Sequence, residues 1–242
     1  MFAIARSELL QIFRNRLVLV TMLIVPVASS AFYIYLHRAF PKLGEVLGVG
    51  PIAAMLVFLV VAMGLYATTV TTLASRRQNL FLKHLRSTAA GDTGILTGLL
   101  LPVTAVTLIQ TAVVLAVLAA IGGAPADPLL LAATVLTAVV MMLGFALATA
   151  GLTTSPDHAQ VTTLPLMVGT MVVAGWVAFS DTEEPGPLKL LLPGGSAAEL
   201  VVNAWTGDAA LTDSLLLFAP TLAWAAVAVV AATRLFRWEP RA

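Results

Sequence analysis

Residues 46–87 read VLGVGPIAAMLVFLVVAMGLYATTVTTLASRRQNLFLKHLRS. The first 30 of these residues contain no Asp, Glu, Lys or Arg, whereas the last 12 hold four basic residues and a histidine. About 20 residues of helix are enough to cross the hydrocarbon core of a bilayer. The stretch therefore predicts a membrane span that ends in a short cationic segment.

The same alternation of long apolar runs and short charged segments continues through the whole chain. The chain has 242 residues, of which 60% are hydrophobic and 10% are charged, whereas a soluble domain has about 25% charged residues. Continuous apolar runs favour helices over barrel strands, because a helix satisfies its backbone polar groups internally. The sequence predicts an all-α, polytopic protein with a single transmembrane domain over residues 1–242. The six predicted spans cover about 17–36, 51–75, 94–121, 129–153, 160–180 and 214–234.

The basic residues are distributed unevenly between the two predicted sides of the membrane. Ten of the thirteen Lys and Arg residues lie before the first span, in the loop after the second span, or after the last span. Most of the acidic residues lie on the other side. The positive-inside rule then predicts that both termini and the 76–87 segment are cytoplasmic, in the plasma membrane of the cell. An even number of spans also places the termini on one side.

Two segments outside the predicted spans show helical patterns. Residues 1–16 have apolar side chains on one face, which predicts an amphipathic helix in the membrane interface. Residues 185–207 are apolar but too short to cross, and they predict an external interfacial or re-entrant helix before the last span. Ser196 and Glu199 have the spacing of a capping box, and Trp205 is expected near the lipid headgroups. An ordinary surface helix is the alternative for this segment.

The sequence offers little to support catalysis. No predicted span carries an ionisable residue at mid-depth, where such a residue indicates a transport or relay site. Asp157 and His158 lie in a predicted cytoplasmic turn, and the three histidines do not share a segment. There is no phosphate-binding P-loop, no metal-ligand spacing and no cysteine. We therefore expect no catalytic site, no metal and no cofactor on this chain.

Residues 76–87 are predicted to form a short amphipathic helix at the cytoplasmic surface. Phe81, Leu82 and Leu85 cover an arc of roughly 100° on a helix, with basic side chains beside them. One interpretation is that the charges only set the topology and bind anionic lipid, at about 1 kcal/mol per residue. The adjacent apolar side chains favour a second interpretation, in which the helix binds a cytoplasmic protein.

This arrangement resembles the membrane subunit of a type-2 ABC exporter. The resemblance lies in Arg76-Arg77, in Leu82-Lys83-His84-Leu85-Arg86 and in Gly98 at the start of the third span. The stretch LPLMVGTMVVAGWVAF, followed by Pro185 and Pro193, is similar to the family's fifth span and external helices. Two features that the family often has are absent, namely an acidic residue near Gln78 or Asn79 and a proline near Ala89.

The resemblance implies a permease that forms half of a dimeric pathway, with a second copy or a paralogue as the other half. Separate ABC ATPase subunits would carry the ATP and Mg. Phe81, Leu82 and Leu85 would pack into a cleft of the ATPase, whose closure would shift spans one, two and five. The implied ATPase-coupling residues are Arg76, Arg77, Leu80, Phe81, Leu82, Lys83, Leu85 and Arg86.

The substrate expected from the apolar and hydroxyl-bearing spans is amphiphilic or hydrophobic, and its identity stays open. The expected partners are therefore the ATPase, a second membrane subunit, the lipid bilayer and this substrate, without any nucleic acid. Two alternatives come from other functional classes. One is an ATP-independent ion- or proton-coupled carrier, and the other is a membrane scaffold that transports nothing.

Overall fold

The computed structural model describes residues 5–6, 8–10, 14, 16, 20, 24–87, 91–180 and 187–238. Every regular element in these residues is helical. The helices are α1 (Val25–Ala39), α2 (Pro41–Leu47), α3 (Val49–Gln78), α4 (Phe81–Arg86), α5 (Asp92–Gly122), α6 (Pro128–Leu152), α7 (Pro156–Ala178), α8 (Pro187–Leu191), α9 (Gly195–Thr206) and α10 (Leu211–Leu235).

Five of the described helices, α3, α5, α6, α7 and α10, are long and apolar enough to cross a membrane. They correspond to the second to sixth predicted spans, and each has bounds within four residues of the prediction. Residues 24–36 of the predicted first span are described, and almost all of them lie in α1, but 17–19 and 21–23 lie outside the described residues, as do nine of the sixteen residues of the predicted interfacial helix at 1–16. The sixth span and the interfacial helix therefore stay predictions.

Consecutive spans run in opposite directions, and α10, which follows the α8–α9 segment, runs parallel to α6. Gly122 at the end of α5 lies against Val49 at the start of α3, and Gly151 near the end of α6 lies against Leu235 at the end of α10. At one end of the bundle, called the basic end here, lie the last turns of α3 and α10 and the whole of α4. The basic side chains at this end are Arg76, Arg77, Lys83, Arg86, Arg234 and Arg237.

The most extensive helix contact joins α6 and α10, which pack through small residues. A Cβ atom at Gly144 would come within 2.8 Å of Ala228 Cβ, so the two backbones approach closely. Gly151 meets the backbone of Leu235 in the same way. Both pairs are separated by seven residues, or two helical turns, and thus lie along one seam.

Helix α3 contains π-helical winding over Val60–Ala67. This segment is buried against its neighbours, and the Tyr66 hydroxyl lies 3.0 Å from the Thr149 hydroxyl of α6. Most π-helical segments in proteins are single turns, so a π-helical segment of 8 residues is unusually long. The winding changes the direction in which residues of α3 face above and below it.

Helices α8 and α9 form a hairpin that enters the bundle from the end opposite to the basic end. Its closed end lies beside the middle of other helices, because Trp224 Nε1 of α10 donates to the Leu191 carbonyl at 2.8 Å. Its open end lies near the start of α6, where the backbone N–H of Asp127 donates to the Ala204 carbonyl at 2.9 Å. Helix α9 is largely buried, with contacts to α3, α6, α7 and α10.

The predicted capping box at the start of this helix is wrong. Helix α9 begins at Gly195, after Gly194 with φ +90°, and no side chain caps it. Ser196 lies inside the helix, and its hydroxyl accepts a hydrogen bond from Thr221 of α10 at 3.0 Å. Packing against α10 thus uses the hydroxyl that local sequence assigned to capping.

Candidate functional site

The junction between α3 and α4 projects from the basic end of the bundle. Helix α3 continues to Gln78, so Arg76 and Arg77 belong to its last turn and not to a separate helix over 76–87. Leu80 has φ +57°, in the left-handed region, and α4 begins at the next residue. This conformation costs a non-glycine residue about 1–2 kcal/mol. The predicted single helix is therefore a helix end, a sharp turn and a six-residue helix.

The side chain of Leu80 extends from this turn and is 52% exposed. Lys83, His84 and Arg86 are also exposed, and they share the outward side of α4. An apolar side chain surrounded by basic residues, held at the tip of a sharp turn, is a surface that suits an acidic partner with an apolar pocket. This exposed set, Leu80, Lys83, His84 and Arg86, is called the outer face of α4 below.

The apolar side of α4 points inward. Leu82 is fully buried within the chain, and Phe81 and Leu85 are half-buried against the same core. In this structure Leu82 is not available to an ATPase cleft, which corrects the predicted contact. The amphipathic pattern is the same, but its apolar side anchors α4 to its own spans.

Arg76 joins the N-terminal segment to α4. Its Nη2 atom lies 2.9 Å from the carboxylate of Glu8, which is almost fully buried. The Arg76 guanidinium also lies 5.0 Å from the centre of the Phe81 ring, which is a cation–π distance. The side chain that was expected to meet lipid or partner acids is therefore held mainly within the chain.

Arg77 lies in the interior of the basic end, with 2% of its surface exposed. Its Nη2 atom donates a hydrogen bond to the backbone carbonyl of Thr153, which follows the last residue of α6. The carbonyls at a helix C-terminus are left without intrahelical partners and carry partial negative charge. Arg77 therefore stabilises the end of α6 and fixes α3 beside it.

Arg86 connects the end of α4 to two other segments. It forms a two-pronged ion pair with Asp92 at the start of α5, through Nε–Oδ1 and Nη2–Oδ2 distances of 3.0 Å and 3.2 Å. Its guanidinium also lies 5.0 Å from the Trp238 ring centre. Phe236 packs edge-on against Trp238 at 5.3 Å between centroids. The segment that follows α10 thus covers the end of α4.

The turn between α6 and α7 has the structure of a helix cap and not of a catalytic pair. Ser155 caps α7 by accepting from the His158 backbone N–H at 3.1 Å. The His158 Nδ1 atom lies 3.0 Å from the Thr154 hydroxyl, and Asp157 is exposed. Among the described residues, no three His, Asp or Glu side chains cluster to hold a metal ion.

The hairpin of α8 and α9 contains two ionisable residues, Lys189 and Glu199, that lie between the predicted fifth and sixth spans. Lys189 is 3% exposed. Burial raises the pKa of the Glu199 carboxyl, and the positive charge of Lys189 opposes that rise. The sequence Pro193-Gly194-Gly195 between two apolar segments could have predicted this placement, because a hairpin turn there brings Lys189 and Glu199 together. Trp205, expected near headgroups, is buried in the bundle with 6% exposure.

Residues 1–190 match the family model described as ABC-2 type transporter. The matched residues include α3, α4 and the turn between α6 and α7. No curated protein matches the chain.

Proposed function

The chain belongs to the ABC-2 type transporter family, and from that premise we propose that it is the permease subunit of an ATP-driven exporter. Members of this family typically work with an ABC ATPase. The outer face of α4 would bind this separate ATPase, which would carry the ATP and Mg. Leu80 would enter an apolar depression of the ATPase, and Lys83 and His84 would meet acidic side chains around it.

A single observation carries this proposal, namely the strained and exposed position of Leu80. A left-handed leucine with an exposed side chain satisfies neither backbone preference nor burial, and such positions cluster at functional sites. The strain holds the side chain at the tip of the turn, where a partner could bury it. Burying a fully exposed leucine side chain is worth about 1.5–3 kcal/mol, so burying the exposed half of Leu80 would offset much of the cost of the backbone conformation.

The charge distribution supports a cytoplasmic position for the basic end. Cytoplasmic loops of membrane proteins carry an excess of Lys and Arg. The described part of the basic end holds six such residues in α3, α4 and α10 and just after α10. If residues 17–36 also span the membrane, the two termini share the cytoplasmic side. ATP is available on that side, which agrees with an ATPase bound to α4.

A second membrane subunit, identical or paralogous, would complete a pathway for an amphiphilic substrate. Helices α5, α7 and α10 expose long apolar faces, and the described spans carry hydroxyls but no Asp, Glu, Lys or Arg at mid-depth. Such a lining suits a molecule with a hydrophobic part better than an inorganic ion. Transport requires that the ATPase bind two conformations of the permease with different affinity. To shift a population from 1:99 to 99:1, this difference must reach about 5.5 kcal/mol.

Co-isolation with the ATPase tests the proposal. The chain is purified in mild detergent from its native cells, and ATP hydrolysis by the eluate is measured. Leu80→Asp and Lys83→Glu are expected to lose both the co-isolated ATPase and the hydrolysis. Lys42→Glu is the matched control, because Lys42 is also exposed but lies at the opposite end.

Two results would contradict the proposal. One is a wild-type chain that isolates without any ATP-hydrolysing protein, which would favour a scaffold. The other is transport by the purified chain alone in vesicles without ATP, which would favour an ion- or proton-coupled carrier.

A further inference from the structure

Helix α4 is attached to the spans through more than its own backbone. The backbone connects it directly to α3, and after residues 88–90 to α5. Two arginines add connections to elements that are distant in the sequence. Arg77, three residues before the turn at Leu80, binds Thr153 after α6, and Arg86 lies over Trp238 after α10.

These two connections end on the same pair of helices. Helices α6 and α10 are joined along the seam of Gly144 with Ala228 and Gly151 with Leu235. At both places the backbones are too close for even one added methyl group. Tightly packed backbones of this kind shift together rather than slide independently. A displacement of α4 that reaches either helix therefore moves both.

The connections differ in their exposure. The Arg77 bond is buried, and therefore it is little screened by salt. The Arg86–Asp92 pair is about half exposed, with 46% and 51% of the two side chains accessible. Exposed pairs of this kind contribute little. The buried bond from Arg77, at the end of α3, to Thr153 is accordingly the firmest of these connections, whereas Arg86 contacts both Asp92 and Trp238 with a half-exposed side chain.

From this geometry we infer that Arg77 and Trp238 are positioning residues that transmit movement of α4 to the α6–α10 pair. The inference rests on the proposed function, since it requires an ATPase that displaces α4. It differs from the movement of spans one, two and five that the resemblance implied. Nucleotide binding by the ATPase moves the outer end of α10 relative to α5, and Trp238 is required for that movement.

Spin-label distances test this without knowledge of the substrate. The chain has no cysteine, so Ala120→Cys on α5 and Leu211→Cys on α10 place one pair of labels in each copy of the chain, at the end opposite to α4; labelled chain diluted with unlabelled chain leaves one pair in most complexes. The distance is measured in the isolated complex with and without ATP and vanadate. We expect a second distance population to appear with nucleotide.

Trp238→Leu removes the aromatic face beneath Arg86, whereas Trp238→Phe keeps one. Trp238→Leu is expected to reduce the ratio of shifted to unshifted population at least about fivefold, which is the lower range of allosteric coupling. Trp238→Phe should retain the wild-type ratio.

Arg77→Met and Arg77→Lys form a second pair of variants, because lysine retains a donor for the Thr153 carbonyl. The amount of co-isolated ATPase is measured for each variant.

The outcomes separate the two proposals. If the ATPase co-isolates and the label distance does not respond to nucleotide, or responds equally in all variants, the inference is wrong and the proposed function stands. If no ATPase co-isolates with the wild-type chain, the proposed function fails first. Loss of the response in Trp238→Leu and Arg77→Met, with retained ATPase, supports the inference.

Discussion

Gly144 of α6 and Ala228 of α10 occupy a close approach of two membrane-spanning helices, where a Cβ on Gly144 would lie 2.7 Å from the Ala228 carbonyl carbon. There is no flexible side chain that could move aside, because the obstacle is backbone. Small residues permit this approach, and dispersion contacts and weak hydrogen bonds then favour association in lipid. The seam lies within the most extensive helix contact of the structure, so a change there should affect stability.

Gly144→Ala is expected to destabilise the protein by about 1–3 kcal/mol, because an added methyl group forces the two helices apart. The measurement is thermal unfolding in detergent. Gly169→Ala in α7 is the control, since a Cβ there meets nothing within 4 Å. That change should be neutral or stabilising by up to about 1 kcal/mol. Equal melting temperatures for the two variants would contradict the close packing at the seam.

Leu80 predicts opposite effects on stability and on binding. Leu80→Gly removes the steric cost of the left-handed conformation and should stabilise the isolated chain by up to about 1 kcal/mol. The same change removes the exposed apolar side chain and should weaken ATPase co-isolation. Leu80→Val is the comparison, because a β-branched residue tolerates the conformation poorly and should destabilise. If Leu80→Gly lowers stability, backbone strain at Leu80 does not determine the stability of this turn.

Much of this architecture follows from the sequence alone, because each charge-free run of about 20 residues can satisfy its backbone only as a helix. The details that escaped prediction depend on distant partners. Arg77 bonds to a carbonyl 76 residues away, and Ser196 bonds to Thr221 instead of capping its own helix. Local periodicity also cannot tell whether the apolar side of α4 faces inward or toward a partner. Packing against the spans decides that.

Cysteine accessibility checks the orientation and the number of spans. In a cysteine-free chain, Lys83→Cys should react with an impermeant maleimide only after the cells are opened, whereas Lys42→Cys should react in intact cells. Arg6→Cys should behave like Lys83→Cys if residues 17–36 cross the membrane. If Arg6→Cys reacts from outside, the first predicted span is wrong, and the termini lie on opposite sides.

The Lys189–Glu199 pair predicts a specific pH dependence. Burial raises the pKa of Glu199 above its ordinary value of 4.5, so the folded state binds this proton more tightly than the unfolded state does. The contribution of Glu199 to the free energy of unfolding therefore falls as pH rises from about the ordinary pKa through the raised one. Melting temperatures across this range are the measurement.

Matched variants of the pair test the cause. Glu199→Gln should remove this part of the pH dependence, because the amide does not titrate. Lys189→Met removes the opposing positive charge, so it should raise the pKa of Glu199 further and move the fall in stability to higher pH. A pH dependence that is unchanged in Glu199→Gln would show that other groups control it.

The hydrogen bond from Trp224 to the Leu191 carbonyl predicts how firmly the hairpin is held in the bundle. Trp224→Phe removes the donor and leaves the carbonyl beside an apolar ring, which should cost about 1 kcal/mol of unfolding free energy. Trp176→Phe is the control, since Trp176 is 51% exposed on α7 and contributes no such bond. Because the bond attaches the end of α8 to α10, Trp224→Phe should also increase proteolysis or hydrogen exchange in α8 more than in α6. Uniform change across both helices would mean that the tryptophan acts only through its apolar ring.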